Sequence, residues 1–230
     1  MKKKLFIHIP KNAGMTIRSS PVIRPKIILA SEHNHISKEY TKAVSKKMEE
    51  LNEHHGFEHA RWRDCSEDAR KLRAFAIIRN PWDRVVSRFF FAKKVIEVEK
   101  VATSEYTDTS SFEAFLEERH KWGGEEYMWH RAVRGWYPAF DHVSDEQGNI
   151  KCDMLRFERL NQELCTYFNI AIMSKPRNVT GLNPGTYKDI YTRKTAQIVA
   201  DWYKKDIDTW GFDFDTGATR NIVYNGEIFG

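Results

Sequence analysis

Two short segments carry residue types and spacings suited to holding a strongly anionic ligand. Ile9-Pro10-Lys11-Asn12-Ala13-Gly14-Met15-Thr16 combines a cation, a glycine that permits close backbone approach and a hydroxyl where a helix would start. Ile78-Arg79-Asn80-Pro81-Trp82-Asp83-Arg84-Val85-Val86-Ser87-Arg88 places a guanidinium at the end of an apolar run and a hydroxyl two turns into the following helix. Backbone N–H groups at such helix starts, together with the helix dipole, favour negative charge. The first segment is not a Walker A loop, whose pattern needs Lys directly after Gly, whereas Lys11 precedes Gly14. Taken singly, each segment is also explained by an ordinary turn with a solvated lysine, or by a capped helix with surface charges.

The surrounding pattern says what must position these residues. Leu5 to Ile9 is β-rich and runs into the first segment, after which Met15 to Ser20 allows only a short helix before Pro21. Ile27 to Leu29 reads as a second strand, and Lys38 to Leu51 as a polar helix capped by Ser37. Arg73 to Arg79 is nearly continuously apolar, as expected of a parallel strand covered on both faces. Asn80 is placed as a helix cap, Pro81 fits the first helical position and Asp83 complements the dipole, so a helix is expected from residue 81 towards Val98. Further helices are expected near Phe112 to Arg119, opened by a capping box at Ser110 to Glu113, from Glu158 to Phe168, and from Thr192 to Trp210 with Gly211 as the stop. A hairpin is expected around Gln147-Gly148-Asn149. Strands alternating with helices imply an α/β fold with a short, mainly parallel central sheet flanked by helices.

The chain has 230 residues, 41% of them hydrophobic and 30% charged, which suits a globular domain rather than a disordered chain. No linker, repeat or low-complexity tract divides it, so one domain over residues 1–230 is expected, with a core to about 214 and a tail from 215 to 230. No apolar run approaches the roughly 20 residues of a spanning helix, and Leu5-Phe6-Ile7 is too short to be the apolar region of a signal peptide. No membrane partner is expected. Cys65, Cys152 and Cys165 are odd in number and lack CxxC spacing, which points away from a disulfide framework and towards a reducing cytoplasm. The net charge of +5 and a pI near 9.0 suit acidic partners.

Together, and in this order, the two segments resemble those of the PAPS-dependent sulfotransferases, PAPS being 3′-phosphoadenosine 5′-phosphosulfate. The first is similar to that family's 5′-phosphosulfate loop, typically IPKTAGTS, and the second to its 3′-phosphate segment, typically RNPWDRLVSAY. The nearest resemblance is to the branch with the heparan sulfate 2-O-sulfotransferases and short bacterial relatives. Asp153 to Leu160, the Asn183 to Tyr187 loop, Tyr203 to Ile207 and Phe212 to Phe214 extend it across residues 5 to 214. The resemblance implies a P-loop-like nucleotide-binding fold and sulfuryl transfer from PAPS to the hydroxyl of a carbohydrate or small-molecule acceptor, leaving PAP, with no metal. It implies that Lys11 contacts the sulfate and the bridging oxygen, that the Asn12, Ala13, Gly14, Met15 and Thr16 amides and the Thr16 hydroxyl hold the phosphosulfate, and that Arg79 and Ser87 bind the 3′-phosphate. Met15 and Asn12 depart from the usual hydroxyl residues, so fewer hydroxyl contacts are expected. The branch also implies a histidine base shortly after the second strand: His35, directly before the Ser37-headed helix, is favoured, with His33 in reserve.

Other residues have plainer explanations. Arg84 and Arg88 are expected as salt-bridged surface residues, and Phe89-Phe90-Phe91, Trp202, Tyr203, Ile207 and Trp210 as packing. His54, His55 and His59 are expected in a solvated loop, since Gly56 interrupts any helical frame for a metal. Adjacent Glu125 and Glu126 diverge on any regular element. The Asn183 to Tyr187 loop is either a plain turn or a closure over the cofactor. Trp122, Tyr127, Trp129, His130 and Arg131 are expected to line the acceptor site. The competing classes are a small-molecule or nucleotide kinase, which lacks here a Walker A loop and a Mg²⁺-binding carboxylate, and a nucleic-acid-binding module, which lacks a recognition motif. Nucleic acid is not an expected partner.

Overall fold

Leu5, Phe6 and Ile7 are buried on both faces of their strand, as are Ala74 to Ile78, and such runs belong inside a sheet covered on both sides. The computed structural model describes residues 2–32, 35–52, 57–98, 107–128, 135–171, 186–224 and 227–229. In it, β1 (Lys4–Ile7), β2 (Ile27–Leu29), β3 (Ala74–Ile78) and β4 (Cys152–Arg156) form a parallel sheet in the order β2-β1-β3-β4. Leu5 lies between Ile28 and Ala74, and β3 and β4 run in register from Ala74 and Cys152 to Ile78 and Arg156. Helices α1 (Gly14–Ser19), α2 (Lys38–Glu50), α3 (Glu67–Arg70), α4 (Pro81–Lys93), α5 (Phe112–Trp122), α6 (Ala139–Val143), α7 (Leu160–Phe168), α8 (Arg193–Trp202) and α9 (Lys204–Trp210) flank it. This is the α/β arrangement that the alternation of strands and helices implies.

The chain passes from β1 to β2 on one side and from β3 to β4 on the other, so the strand order reverses between β1 and β3. In open parallel sheets the crevice beyond the carboxyl ends at such a switch point is where ligands bind. Both anion-suited segments begin there, one after β1 and the other directly after β3.

Local chemistry accounts for most boundaries. The Ser37 side chain accepts the Tyr40 N–H at the start of α2. Asn80 accepts from Trp82 and Asp83 at the start of α4, which runs on into a π-helical turn at Lys94–Val98. The cap of α5 is Ser111, one residue later than expected, because Ser110 is bound to Asp108 instead. No strands flank Gln147-Gly148-Asn149: the Asp145 carboxylate takes the Gln147 and Asn149 amides, and a single bridge joins Ser144 to Ile150. The helix expected over 192–210 is two helices, broken at Tyr203 (φ −103°, ψ 23°), whose buried side chain meets Arg88 and Arg84.

Strand β4 has no clean apolar pattern, and its charges are neutralised by partners distant in sequence. Asp153 accepts from Arg73 and from the Tyr167 hydroxyl, and Arg156 is paired with Glu163. Beyond residue 214 the chain packs back: β5 (Ile222–Tyr224) pairs antiparallel with β6 (Glu227–Phe229), and the Tyr224 ring lies 5.7 Å from Tyr167. No described helix is long and apolar enough to cross a membrane.

Candidate anion site at the β1–β3 crevice

The loop after β1 is held in a conformation that costs energy. Lys11 (φ 65°) and Ala13 (φ 60°) are both left-handed without being glycine, a strain of about 1 kcal/mol or more each. Tertiary bonds maintain it. Asn12 is buried and its Nδ2 donates to the Ile77 carbonyl at 2.8 Å, tying the loop to the end of β3. Arg79 Nη1 donates to the Lys11 carbonyl at 2.9 Å, so the two segments, 68 residues apart, meet directly.

Arg79 is itself anchored. Its Nε and Nη2 donate to the two Asp83 oxygens at 2.7 and 2.8 Å, and its guanidinium lies 4.1 Å from the Phe157 ring. Three of its five N–H groups are thus used, and the other two have no partner among the described residues. Asp83 stands in the first turn of α4, where the dipole favours its charge. The Glu158 carboxylate accepts the Asn80 N–H, and the Asn80 side chain donates to the Asp213 and Thr216 carbonyls. The Glu158 carboxyl is pushed up by burial.

Gly14 makes its close approach to a side chain of the same protein: a Cβ there would lie 1.5 Å from His8 Nε2. The His8 ring is stacked on Phe6 and lies 4.2 Å from the His59 ring, while His59 Nδ1 contacts the His8 carbonyl at 2.7 Å. His59 is therefore buried, not in a solvated loop as expected, because the segment before α3 folds over β1; His54 and His55 lie outside the described residues. Burial holds the His8 and His142 imidazoles well below the usual histidine range, so both are neutral at pH 7.

Arg84 and Arg88 are not surface residues; they are 1% and 0% exposed. Arg84 donates to the Pro10 and Tyr137 carbonyls and lies 3.9 Å from Asp206, while Arg88 donates to the Tyr203 hydroxyl and sits 4.1 Å above the Trp136 ring. Helix α4 is enclosed on nearly all sides, so its helical spacing could not separate an outer from an inner face. Arg84, Ser87, Arg88 and Phe91 share the face turned to the loop, with Ser87 buried there. The Lys11 amine lies 4.1 Å from the centre of the Phe91 ring. Burial, and then the charges of Arg79, Lys94 and Arg88, lower its pKa to about 8.

Lys11 and Arg79 are thus joined directly; Asn12, Ala13, Gly14 and Thr16 lie on the loop after β1 and the first turns of α1, Ser87 is buried on the face of α4 that carries Phe91, and Met15 is 45% exposed. His35 stands on the connection between β2 and α2, its Nε2 3.8 Å from Glu32 Oε2, and its carbonyl accepts the Ser66 N–H. His33 lies outside the described residues, as do Trp129, His130, Arg131 and the loop from Asn183 to Gly185. Trp122 is buried in the core with its Nε1 bound to Glu118 rather than offered to a ligand. Tyr187 packs on Phe214 and donates to its carbonyl, and Glu125 is paired with Lys47 of α2. His8, Phe91, Arg88 and Lys94 were not singled out by sequence as parts of the site; the hints are that His8 lies near the end of the expected strand, that Arg88 follows Arg84 and that Phe91 and Lys94 follow Ser87 at helical spacing.

A scan against protein-family models and a search of curated proteins give no match. Among solved structures, the chain is similar to a sulfotransferase from Alicyclobacillus acidocaldarius, with 15% identity, 90% of this chain and 94% of that chain covered, and a TM-score of 0.44. At that identity and score the likeness identifies neither activity nor substrate.

Proposed function

We propose that this protein transfers a sulfuryl group from PAPS to a hydroxyl of a carbohydrate or small-molecule acceptor, in the manner of the sulfotransferase branch its two segments resemble. The observation that carries the reading is the bond from Arg79 to the Lys11 carbonyl, which joins two anion-suited segments at the switch point of a parallel sheet. A donor with anionic groups at two ends suits these residues: Lys11 is surrounded by further cations, and Arg79 keeps two N–H groups without a partner among the described residues. PAPS supplies an activated sulfuryl group whose leaving group is a phosphate. The Lys11 ammonium neutralises negative charge developing at the bridging oxygen, and the loop amides from Asn12 to Thr16 orient the phosphosulfate. Arg79 and Ser87 hold the 3′-phosphate. His35, with His33 as the alternative, takes the proton from the acceptor hydroxyl; an imidazole is suited to this near neutral pH. In-line transfer of this kind depends on positioning and charge stabilisation rather than on covalent chemistry by the protein.

Thermal unfolding with PAP, with ADP and Mg²⁺, and with single-stranded RNA tests the reading. PAP is expected to stabilise the protein, by about 3 kcal/mol at a hundredfold excess over Kd, and Lys11→Ala to remove most of that shift. Stabilisation by ADP and Mg²⁺ without PAP would overturn it in favour of a kinase, and a response to RNA alone in favour of a binding module.

A further inference from the structure

The three consecutive phenylalanines of α4 have different surroundings. Phe89 is buried against Phe112 and Phe115, with Phe90 beside it at 5.3 Å. Phe91 is half-buried on the face shared with Ser87 and Arg88, under the Lys11 amine. We propose that Phe91 is a positioning residue for Lys11, its ring face holding the ammonium at the anion crevice; this rests on the reading of Lys11 given above.

The backbone of Lys11 is fixed by its left-handed conformation and by Arg79, but neither restrains the end of a side chain with four rotatable bonds. Among the described residues, the charged groups acting on that amine from the packed elements are cationic: Arg79 from the end of β3, Arg88 from α4 and Lys94 from the π-helical turn. His8, directly after β1, is neutral, and Asp83 is engaged by Arg79. An aromatic face attracts an ammonium through its quadrupole without neutralising it. A carboxylate in that place would hold Lys11 as well but would repel the anion the site is built for. The ring therefore fixes where the charge sits and leaves it available.

Phe91→Leu keeps apolar burial but removes the π face, Phe91→Tyr keeps both, and Phe91→Met serves as a second variant without a ring. Competitive labelling with acetic anhydride between pH 6 and 10, read at Lys11 by mass spectrometry, follows its ionisation in the free protein, and PAP titration at pH 7 follows its use. Wild type and Phe91→Tyr are expected to reach half-reactivity near the pH 8 of the lowered amine. In Phe91→Leu and Phe91→Met the charged form loses its attraction while the burial penalty stays. Lys11 then becomes reactive at lower pH and PAP binds about 3- to 10-fold more weakly. Labelling curves and PAP affinities that coincide with wild type in both variants would overturn the proposal. If Lys11→Ala binds PAP like wild type, the functional reading fails instead, while the labelling curves still decide whether the ring holds the amine.

Discussion

At the scale of single residues, the anion loop depends on contacts that its own residue types do not announce. Gly14 is required because the His8 ring occupies the space of a side chain, not because the backbone there is left-handed. Gly14→Ala is therefore expected to destabilise by about 1 to 3 kcal/mol, the usual cost of overpacking, since His8 is wedged between Phe6 and His59. The same substitution in a His8→Ala background should be close to neutral; a double-mutant cycle by urea denaturation measures the difference. The strand end and the helix start on either side of Lys11 were legible in the sequence. It left His59 to solvent, because neither a chain neighbour nor a spacing rule reveals that the His8 and His59 rings meet.

Among the elements, α4 was the most legible. Asn80, Pro81 and Asp83 each satisfy a local demand of a helix start, and all three are used in that way. Asn80 also joins the helix to the chain's last segment through the Asp213 and Thr216 carbonyls, at 2.9 and 2.8 Å. Asn80→Ala is expected to cost about 2 to 4 kcal/mol, a cap plus two partly buried hydrogen bonds. Asn80→Asp should recover only the cap share, because a carboxylate accepts from Trp82 and Asp83 but cannot donate to the two carbonyls; thermal denaturation of the pair separates the contributions. Strand β4 and the break at Tyr203 were not legible, for the same reason. Asp153 and Arg156 look unlike strand interior until Arg73, Tyr167 and Glu163 are brought to them, and helical spacing runs unbroken through Tyr203 until its hydroxyl is needed by Arg88.

For the whole molecule, the buried polar region behind the crevice sets a pH dependence. His8 and His142 are held neutral by burial, so their folded pKa values lie below the unfolded value of 6.5. Their contribution is full above pH 6.5 and is lost as pH falls below it, because only the unfolded chain takes up the protons, at up to about 1.4 kcal/mol per pH unit for each. Asp206, raised to about 6 by burial against an unfolded value of 3.8, acts in the opposite sense below pH 6. The balance is an expected loss of about 2 to 3 kcal/mol between pH 7 and 5, read from urea midpoints, and His142→Leu should flatten it. By itself the sequence determined the α/β class and the ends of β1 and β3, since apolar runs, caps and turn chemistry act between near neighbours in the chain. Only the tertiary structure decided that Arg84 and Arg88 lie inside, that His8 covers Gly14 and that Lys11 rests on Phe91. Those outcomes depend on which elements pack together, and burial by distant residues, not local spacing, sets both the position and the charge of such groups.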